Sequence, residues 1–168
     1  RRVLYPFART VVVQTESVAN WAKSFLPAHK VQVIPNFVRM LPAAASLDQR
    51  NNRDILAVGR LNREKGFDLL LRAFAIAGLM KQGGRLTILG EGPERPLLED
   101  LARELGIAQV VSLPGVVQDP ARWMAHCALF VLPSRYEGFP NALLEAMAIG
   151  CAVVAADCPS GPRELIRN

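Results

Sequence analysis

The most chemically suggestive segment of the sequence, residues 133–150, contains two glutamates, Glu137 and Glu145. Pro140 suits the first turn of a helix, because proline lacks the amide hydrogen that a first turn leaves unpaired, and Gly150 suits its C-terminal end. The free amides and the dipole at such a helix N-terminus favour an anion, for example a phosphate. The segment therefore predicts an anion site with a carboxylate on either side.

Asn141 and Glu145 are the polar residues of this predicted helix, residues 140–149, whose other positions are apolar. They are four residues apart and therefore share one face. A polar stripe on an otherwise apolar helix indicates a ligand site, and an ionised carboxylate can accept two hydrogen bonds from a ribose diol. The alternative is a glutamate exposed on the helix surface.

Glu137 precedes the predicted helix by three residues, where a carboxylate could either complement the helix dipole or face a bound sugar. Gly138 has no side chain and Pro140 has no amide hydrogen. The backbone of Gly138, Phe139 and Asn141 is therefore open to a ligand.

A second loop, residues 59–66, has glycine at both ends and follows a predicted strand. Gly59 allows a ligand to approach the backbone closely, while the guanidinium of Arg60 and the ammonium of Lys65 could neutralise a diphosphate. The loop lacks the Gly-Lys-Ser/Thr of a Walker loop. The alternative is a solvated basic turn.

Two further turns follow predicted strands. Gly90 and Gly92 form a Gly-x-Gly turn, with Pro93 placed as the first residue of the next helix. A dinucleotide fingerprint would need glycine where Arg95 stands, so a nicotinamide or flavin site is disfavoured. In the later turn, residues 114–117, exposed backbone groups and apolar side chains could form a wall that holds a nucleobase. Plain turn chemistry is the alternative for both.

The other reactive side chains give no site. His29 and His126 have no acidic or cysteine partner at metal-ligand spacing, and we expect both to be structural. No Gly-x-Ser-x-Gly elbow supports a hydrolase. Cys127, Cys151 and Cys158 are odd in number and lack two-residue spacing, which predicts buried or inert thiols in a reducing cytoplasm.

Short apolar runs alternate with amphipathic stretches along the chain, which predicts a doubly wound α/β fold with a parallel sheet. The predicted strands are 10–14, 31–34, 55–58, 86–89, 110–113, 129–132 and 152–155, and the predicted helices are 17–26, 67–80, 93–105, 120–127 and 140–149. Residues 36–53 are predicted to be a linker, because their composition is polar and irregular. Residues 1–35 then read as the tail of a preceding domain and residues 54–168 as the main domain, truncated at its C-terminus.

Composition agrees with a globular domain. The 168 residues are 51% hydrophobic and 21% charged, and no apolar run is long enough for a membrane span. The first residues of the sequence do not predict a signal peptide. The net charge of +5 is compatible with phosphate-bearing ligands, but the basic residues are scattered, which argues against nucleic acid as a partner.

Several motifs together resemble the retaining glycosyltransferases of family four, which have the two-domain GT-B architecture. Residues 137–148 resemble the E-x7-E signature of that family. Supporting motifs follow in family order: Val58-Gly59-Arg60-Leu61 with Lys65-Gly66-Phe67-Asp68, Leu89-Gly90-Glu91-Gly92-Pro93, Leu113-Pro114-Gly115, and Gly161-Pro162-Arg163-Glu164. The resemblance implies the C-terminal, donor-binding domain.

The resemblance also implies residue roles. Arg60 and Lys65 would contact the donor diphosphate, and Glu145 the ribose hydroxyls. Glu137 would contact the transferred sugar. Glu137, Arg60 and Lys65 would be the catalytic residues. The implied donor contacts are Gly59, Gly90, Gly92, Val116, Gly138, Phe139, Pro140, Asn141, Ala142 and Glu145.

The implied reaction needs no metal or other cofactor and transfers a hexose or N-acetylhexosamine, UDP-linked in our interpretation, to a glycan or lipid-linked acceptor of a bacterial surface polysaccharide. The expected partners are the donor, an acceptor-binding domain of the same polypeptide and a membrane surface that presents a lipid-linked acceptor. The expected location is the cytoplasm or the inner face of the membrane. A non-catalytic nucleotide-sugar-binding module and a sugar-nucleotide epimerase of the same architecture remain alternatives.

Overall fold

The computed structural model of the chain describes residues 4–38 and 51–166. These residues form seven strands and six α-helices that largely alternate. The order is β1 Val11–Val13, α1 Glu16–Lys23, β2 Val31–Val33, β3 Asn51–Val58, α2 Phe67–Ile76, β4 Arg85–Leu89, α3 Arg95–Glu104, β5 Val111–Gly115, α4 Pro120–His126, β6 Cys127–Leu132, α5 Asn141–Ala148, β7 Ala152–Ala155 and α6 Pro162–Leu165.

Five strands form the main sheet, in the order β5-β4-β3-β6-β7, with every neighbouring pair parallel. The chain runs outward from β3 to β5 and then returns to β6 on the other side of β3. This reversal places the carboxyl ends of β3 and β6 side by side, which is where open parallel sheets bind ligands.

The main sheet is covered on both faces, because successive residues of a strand point to opposite sides. Ala57 of β3 packs in the core with α2 and α3, whereas Leu56 packs in the core with α4 and α5. Phe130 and Leu132 of β6 belong to the second core, and Val131 between them packs against the first. Burial on both faces explains the continuous apolar strands, and the predicted doubly wound α/β fold is confirmed.

The first part of the chain forms a smaller unit, in which β1 and β2 pair in parallel and α1 packs on them. Hydrogen bonds to Glu164 and to Asn141 join it to the main sheet's domain. The Glu164 carboxylate of α6 accepts the backbone amides of Glu16 and Ser17 at the start of α1, at 2.8 and 3.1 Å. The Asn36 side chain also donates to the Asn141 side chain at 2.8 Å.

Some element boundaries differ from those predicted. The helix after β3 ends at Ile76, because Gly78 adopts the left-handed conformation, φ 63°, that ends a helix. Pro93 was predicted to be the first residue of the next helix, but it lies in a turn, and α3 begins two residues later. The proline in the first turn of α3 is Pro96. Strand β3 already begins at Asn51, inside the predicted linker, most of which lies outside the described residues.

Candidate functional site

Three turns are hydrogen-bonded to one another at the carboxyl edge of the main sheet. The Gly59 amide donates to Leu89 O at 2.9 Å, and the Gly90 amide donates to Gly115 O at 2.8 Å. A Cβ at Gly90 would lie 1.9 Å from Gly59 O, and a Cβ at Gly92 would lie 2.3 Å from Leu61 O. Both glycines are therefore required by close backbone packing, whatever ligand they meet.

Glu137 lies in the loop between β6 and α5, with a side chain that is only 6% exposed. Its Oε1 atom accepts two hydrogen bonds of 2.6 Å, from Lys65 Nζ and from the Ser134 hydroxyl. A carboxylate removed from water in this way needs such partners to remain charged. The structure thus brings together two of the three predicted catalytic residues, in direct contact.

A clamp formed by Asp68 and Arg135 fixes the two loops that carry Lys65 and Glu137. Both guanidinium nitrogens of Arg135 donate to the Asp68 carboxylate at 2.7 Å, and Arg135 also donates to Arg63 O. The hydrogen bond from Arg135 and its positive charge outweigh burial and hold the pKa of Asp68 below its ordinary value. Between the loops, a Cβ on Gly66 would lie 2.2 Å from the backbone oxygen that precedes Ser134.

Within the part of the chain that the structure describes, the start of α5 has one amide that is free to donate to an anion, that of Ala142. The amide of Ala142 has no backbone acceptor within hydrogen-bond distance among the described residues, whereas the Asn141 amide donates to Phe139 O at 3.0 Å. Gly138 is exposed, and a Cβ there would meet nothing within 4 Å. Pro140 is the N-cap residue and is buried.

The Asn141 side chain is held by the first part of the chain. Gln14 donates to Asn36, which donates to Asn141, both at 2.8 Å. Gln14 and Asn36 were not predicted to belong to the site, because they are far from Asn141 in sequence and no local pattern links the three residues. The buried residues of α5 are Leu143 and Ala146.

Among the described residues, the remaining predicted site residues form no hydrogen bond or ion pair with Glu137. Arg60 is exposed beside Gly59, and Val116 is 79% exposed in the turn after β5. Glu145 is half-buried on α5, one turn after Asn141. In the described part of the chain, neither Arg60 nor Glu145 forms a side-chain ion pair. Both remain able to meet a charged or polyhydroxy ligand.

Besides Gln14 and Asn36, three residues around Glu137 were not predicted from the sequence: Ser134, Asp68 and Arg135. Asp68 and Arg135 are 67 residues apart, so no spacing rule could have paired them. Ser134 follows a buried strand by two residues at the carboxyl edge of the sheet, and this position was a usable signal.

The cysteines and histidines of the described residues carry no metal-ligand set, although the Cys158 thiol lies close to Glu137. All three cysteines are buried, as predicted, and burial raises the pKa of the Cys158 thiol. His126 Nδ1 lies 2.7 Å from the backbone oxygen of Arg122. Within residues 4–38 and 51–166, no group of three or more His, Cys, Asp or Glu could hold a metal ion, and no helix is long and apolar enough to cross a membrane.

Comparison with known proteins gives one family. The sequence model described as "Glycosyl transferases group 1" matches residues 52–168. A Campylobacter jejuni protein, N-acetylgalactosamine-N,N'-diacetylbacillosaminyl-diphospho-undecaprenol 4-alpha-N-acetylgalactosaminyltransferase, is 44% identical over 66% of this chain and 30% of its own length. The lipopolysaccharide 1,6-galactosyltransferase of Salmonella typhimurium is 32% identical over 84% of this chain and 41% of its own length.

Solved structures give the same fold. Anabaena HepE in complex with UDP and glucose superposes with a TM-score of 0.86 at 23% identity, covering 99% of this chain and 49% of HepE. Staphylococcus aureus TarM in a complex that includes UDP gives a TM-score of 0.90 at 23% identity, covering 99% of this chain and 34% of TarM. The chain thus has the fold of half a GT-B architecture and spans less than half the length of these proteins.

Proposed function

The chain belongs to the group 1 glycosyl transferases, and from that premise we propose that it is the donor-binding domain of a retaining enzyme. The enzyme transfers a hexose or N-acetylhexosamine from a UDP-linked donor to a glycan or lipid-linked acceptor. The observation that carries the proposal is the contact between Lys65 and the buried Glu137 beside the start of α5. A cation, a carboxylate and the free amide of Ala142 thus lie at one edge of the sheet.

The choice of donor and acceptor is supported by the relatives. HepE and TarM have been solved with UDP, and the Campylobacter relative is named for transfer to a diphospho-undecaprenol-linked sugar. Both observations describe those proteins. For this chain they favour UDP over other nucleotides and a lipid-linked acceptor over a soluble one.

Catalysis in this proposal consists mainly of stabilising the leaving group. The bond between the anomeric carbon and the diphosphate oxygen breaks, and its electron pair leaves with UDP. Arg60, Lys65 and the free amide of Ala142 at the start of α5 neutralise the growing charge. The acceptor oxygen then bonds to the same face of the sugar, and its proton passes to the departing phosphate. Loss of one such contact costs about 3 kcal/mol of transition-state stabilisation.

Glu137 has a different role, because its negative charge would repel a diphosphate. Lys65 neutralises that charge, and an ammonium has three donors, so the same group can also donate to the diphosphate. Glu137 is then available to orient the sugar, together with the backbone of Gly138, Phe139 and Pro140. Glu145 accepts the ribose hydroxyls, and the backbone around Val116 receives the base.

The proposal includes the wider setting of the domain. Cations and helix amides do the work that a metal performs in other transferases, so we propose a metal-independent reaction. The acceptor-binding domain of the same polypeptide completes the site. Nucleic acid is not a partner, and the enzyme works in the cytoplasm at the inner face of the membrane.

Titration of the full-length protein with UDP and GDP tests the donor site. We expect UDP to bind with the higher affinity. The Arg60→Ala/Glu145→Ala double variant should weaken UDP binding about a hundredfold, because it removes a charge-assisted contact to phosphate and a carboxylate contact to ribose. The exposed Asp54→Asn variant, at the opposite edge of the sheet, serves as the control.

Binding of UDP that survives the double substitution would refute the site assignment. Product analysis separates the alternatives: transfer or slow hydrolysis of the donor sugar supports the enzyme, whereas an epimerised nucleotide sugar supports an epimerase. Tight UDP binding without either reaction, when acceptor extracts are supplied, supports a non-catalytic module.

A further inference from the structure

The buried hydroxyl of Ser134 is the feature of the site with no role yet assigned. The residue is 1% exposed, and its hydroxyl lies 2.6 Å from Glu137 Oε1. An ionised carboxylate can only accept, so Ser134 must be the donor of this hydrogen bond. The single hydroxyl proton of Ser134 is therefore committed to Glu137.

The usual structural role of a serine at a strand-to-helix turn does not apply here. A serine at a helix N-cap accepts an amide from the first turn of that helix. The next helix, α5, begins seven residues after Ser134, and its N-cap residue is Pro140. Capping therefore does not explain the burial of this hydroxyl.

The two hydrogen bonds to Glu137 act on the same oxygen from different elements. Lys65 belongs to the turn before α2, and Ser134 to the loop after β6. Two hydrogen bonds to Oε1, each with a donor–acceptor distance of 2.6 Å, fix both the position and the rotation of the carboxylate. Among the described residues, Oε2 has no hydrogen-bond partner, so it remains the oxygen that can meet a ligand.

We propose that Ser134 is a positioning residue, which holds the Glu137 carboxylate so that Oε2 faces the transferred sugar. This inference rests on the proposed glycosyl transfer. Without the Ser134 hydroxyl, the ion pair with Lys65 alone determines where the carboxylate lies. The Glu137 carboxylate then moves with the Lys65 ammonium, and it loses its orientation when Lys65 binds the diphosphate.

The test is donor hydrolysis by the full-length protein, which needs no identified acceptor. Water attacks the anomeric carbon of UDP-N-acetylglucosamine or UDP-glucose, the bond to the diphosphate breaks with its electron pair on UDP, and the water proton is released to solvent. We expect Ser134→Ala to lower kcat about tenfold, the effect of losing one hydrogen bond to a charged group, while the Kd for UDP changes less than about twofold. Ser134→Thr, which restores the hydroxyl, should recover most of kcat.

Thr15 offers a matched control, because it is as buried as Ser134 and its hydroxyl accepts the Val18 amide at the start of α1. Thr15→Val should lower Tm and leave kcat unchanged, whereas Ser134→Ala should lower kcat at a temperature well below Tm. Unchanged kcat in Ser134→Ala, or an equal loss of UDP affinity and kcat, would overturn the role of Ser134. Failure of the unsubstituted protein to bind UDP would instead refute the proposed function.

Discussion

Glu137 and Gly138 are neighbours in sequence with opposite environments. The Glu137 carboxylate is buried and held by two donors, whereas Gly138 is exposed and has open space where a Cβ would stand. A buried, hydrogen-bonded carboxylate is held in place before a ligand binds. Polar groups that are held in place in this way stabilise a transition state efficiently, because they need not reorganise during the reaction. At the scale of the residue, the site is therefore arranged in advance around Glu137 and left open at Gly138.

Substitution of Gly138 by alanine should affect ligand binding and not stability. The residue has no positive φ, and the added Cβ would meet no atom within 4 Å, so we expect Tm to change by less than about 2 °C. If the sugar lies against this backbone, the methyl group should lower kcat/KM about tenfold in donor hydrolysis. Gly66→Ala is the contrasting variant: its Cβ would lie 2.2 Å from a backbone oxygen, and it should unfold more easily. Unchanged kcat/KM in Gly138→Ala would place the sugar elsewhere.

The loops after β3 and β6 behave as one structural unit. Lys65 and Glu137 meet because the Arg135 amide donates to Glu64 O at 2.8 Å and the Arg135 side chain binds Asp68. Asp68 lies in the first turn of α2, where a carboxylate is also favoured by the helix dipole. The clamp of Asp68 and Arg135 thus fixes the loop that carries Glu137 relative to α2.

Substitution of Asp68 by asparagine should release this unit. The folded-state pKa of Asp68 is lowered, so its carboxylate stabilises the fold above the unfolded-state pKa, about 3.9, and this contribution is lost as the pH falls through the folded-state pKa. Asp68→Asn should therefore lower Tm at pH 7, lower kcat for donor hydrolysis, and lose part of its Tm difference from the unsubstituted protein on acidification. Thermal denaturation between pH 7 and pH 3 measures this effect.

The exposed ion pair of Asp54 and Arg85 provides the control for that experiment, because it joins β3 and β4 away from the site. Exposed pairs contribute little, so Asp54→Asn should change neither Tm nor kcat appreciably. If Asp68→Asn behaved like Asp54→Asn in both measurements, the clamp would have no part in positioning the loops.

At the scale of the whole molecule, the first part of the chain is fastened to the site's own domain. Glu164, in the last helix, accepts two amides and the Ser17 hydroxyl at the start of α1. Asn36 reaches the start of α5. The unit built from β1, α1 and β2 therefore contacts the same helix that receives the diphosphate in the proposed function.

Substitution of Glu164 by glutamine should loosen α1. Burial alone would raise the pKa of Glu164, but hydrogen bonds from Glu16 and Ser17 outweigh it and hold the pKa below its ordinary value. The carboxylate consequently stabilises the fold above the unfolded-state pKa, about 4.3, and less as the pH falls through the folded-state pKa. Glu164→Gln should cost about 1 kcal/mol at pH 7 and speed amide exchange at Glu16 and Ser17, measured by hydrogen exchange.

Asp157 and Arg163 form an exposed ion pair near Glu164 and supply the control. Asp157→Asn should leave exchange at the start of α1 unchanged, because the pair does not contact that helix. Equal exchange rates in Glu164→Gln and the unsubstituted protein would show that this carboxylate does not hold α1.

Much of the fold was predictable because it follows from local pattern. The apolar runs of β3 and β6 predicted strands buried on both faces, and Pro140 and Gly150 bounded α5 correctly to within a residue or two. The predictions were weaker where one turn residue decides a boundary, as at Gly78, since its left-handed conformation is a property of the folded backbone.

The sequence by itself determined the fold class, the family and the residue types at the carboxyl edge of the sheet, because periodicity and short motifs are local properties. Only the tertiary structure decided that Lys65 holds Glu137, that Ser134 shares the same oxygen, and that Asp68 and Arg135 join the two loops. Those contacts link residues on separate strands, and their existence depends on the order in which the sheet brings β3 and β6 together. Side-chain type fixes which bonds a residue can form, whereas strand order fixes which partner it meets.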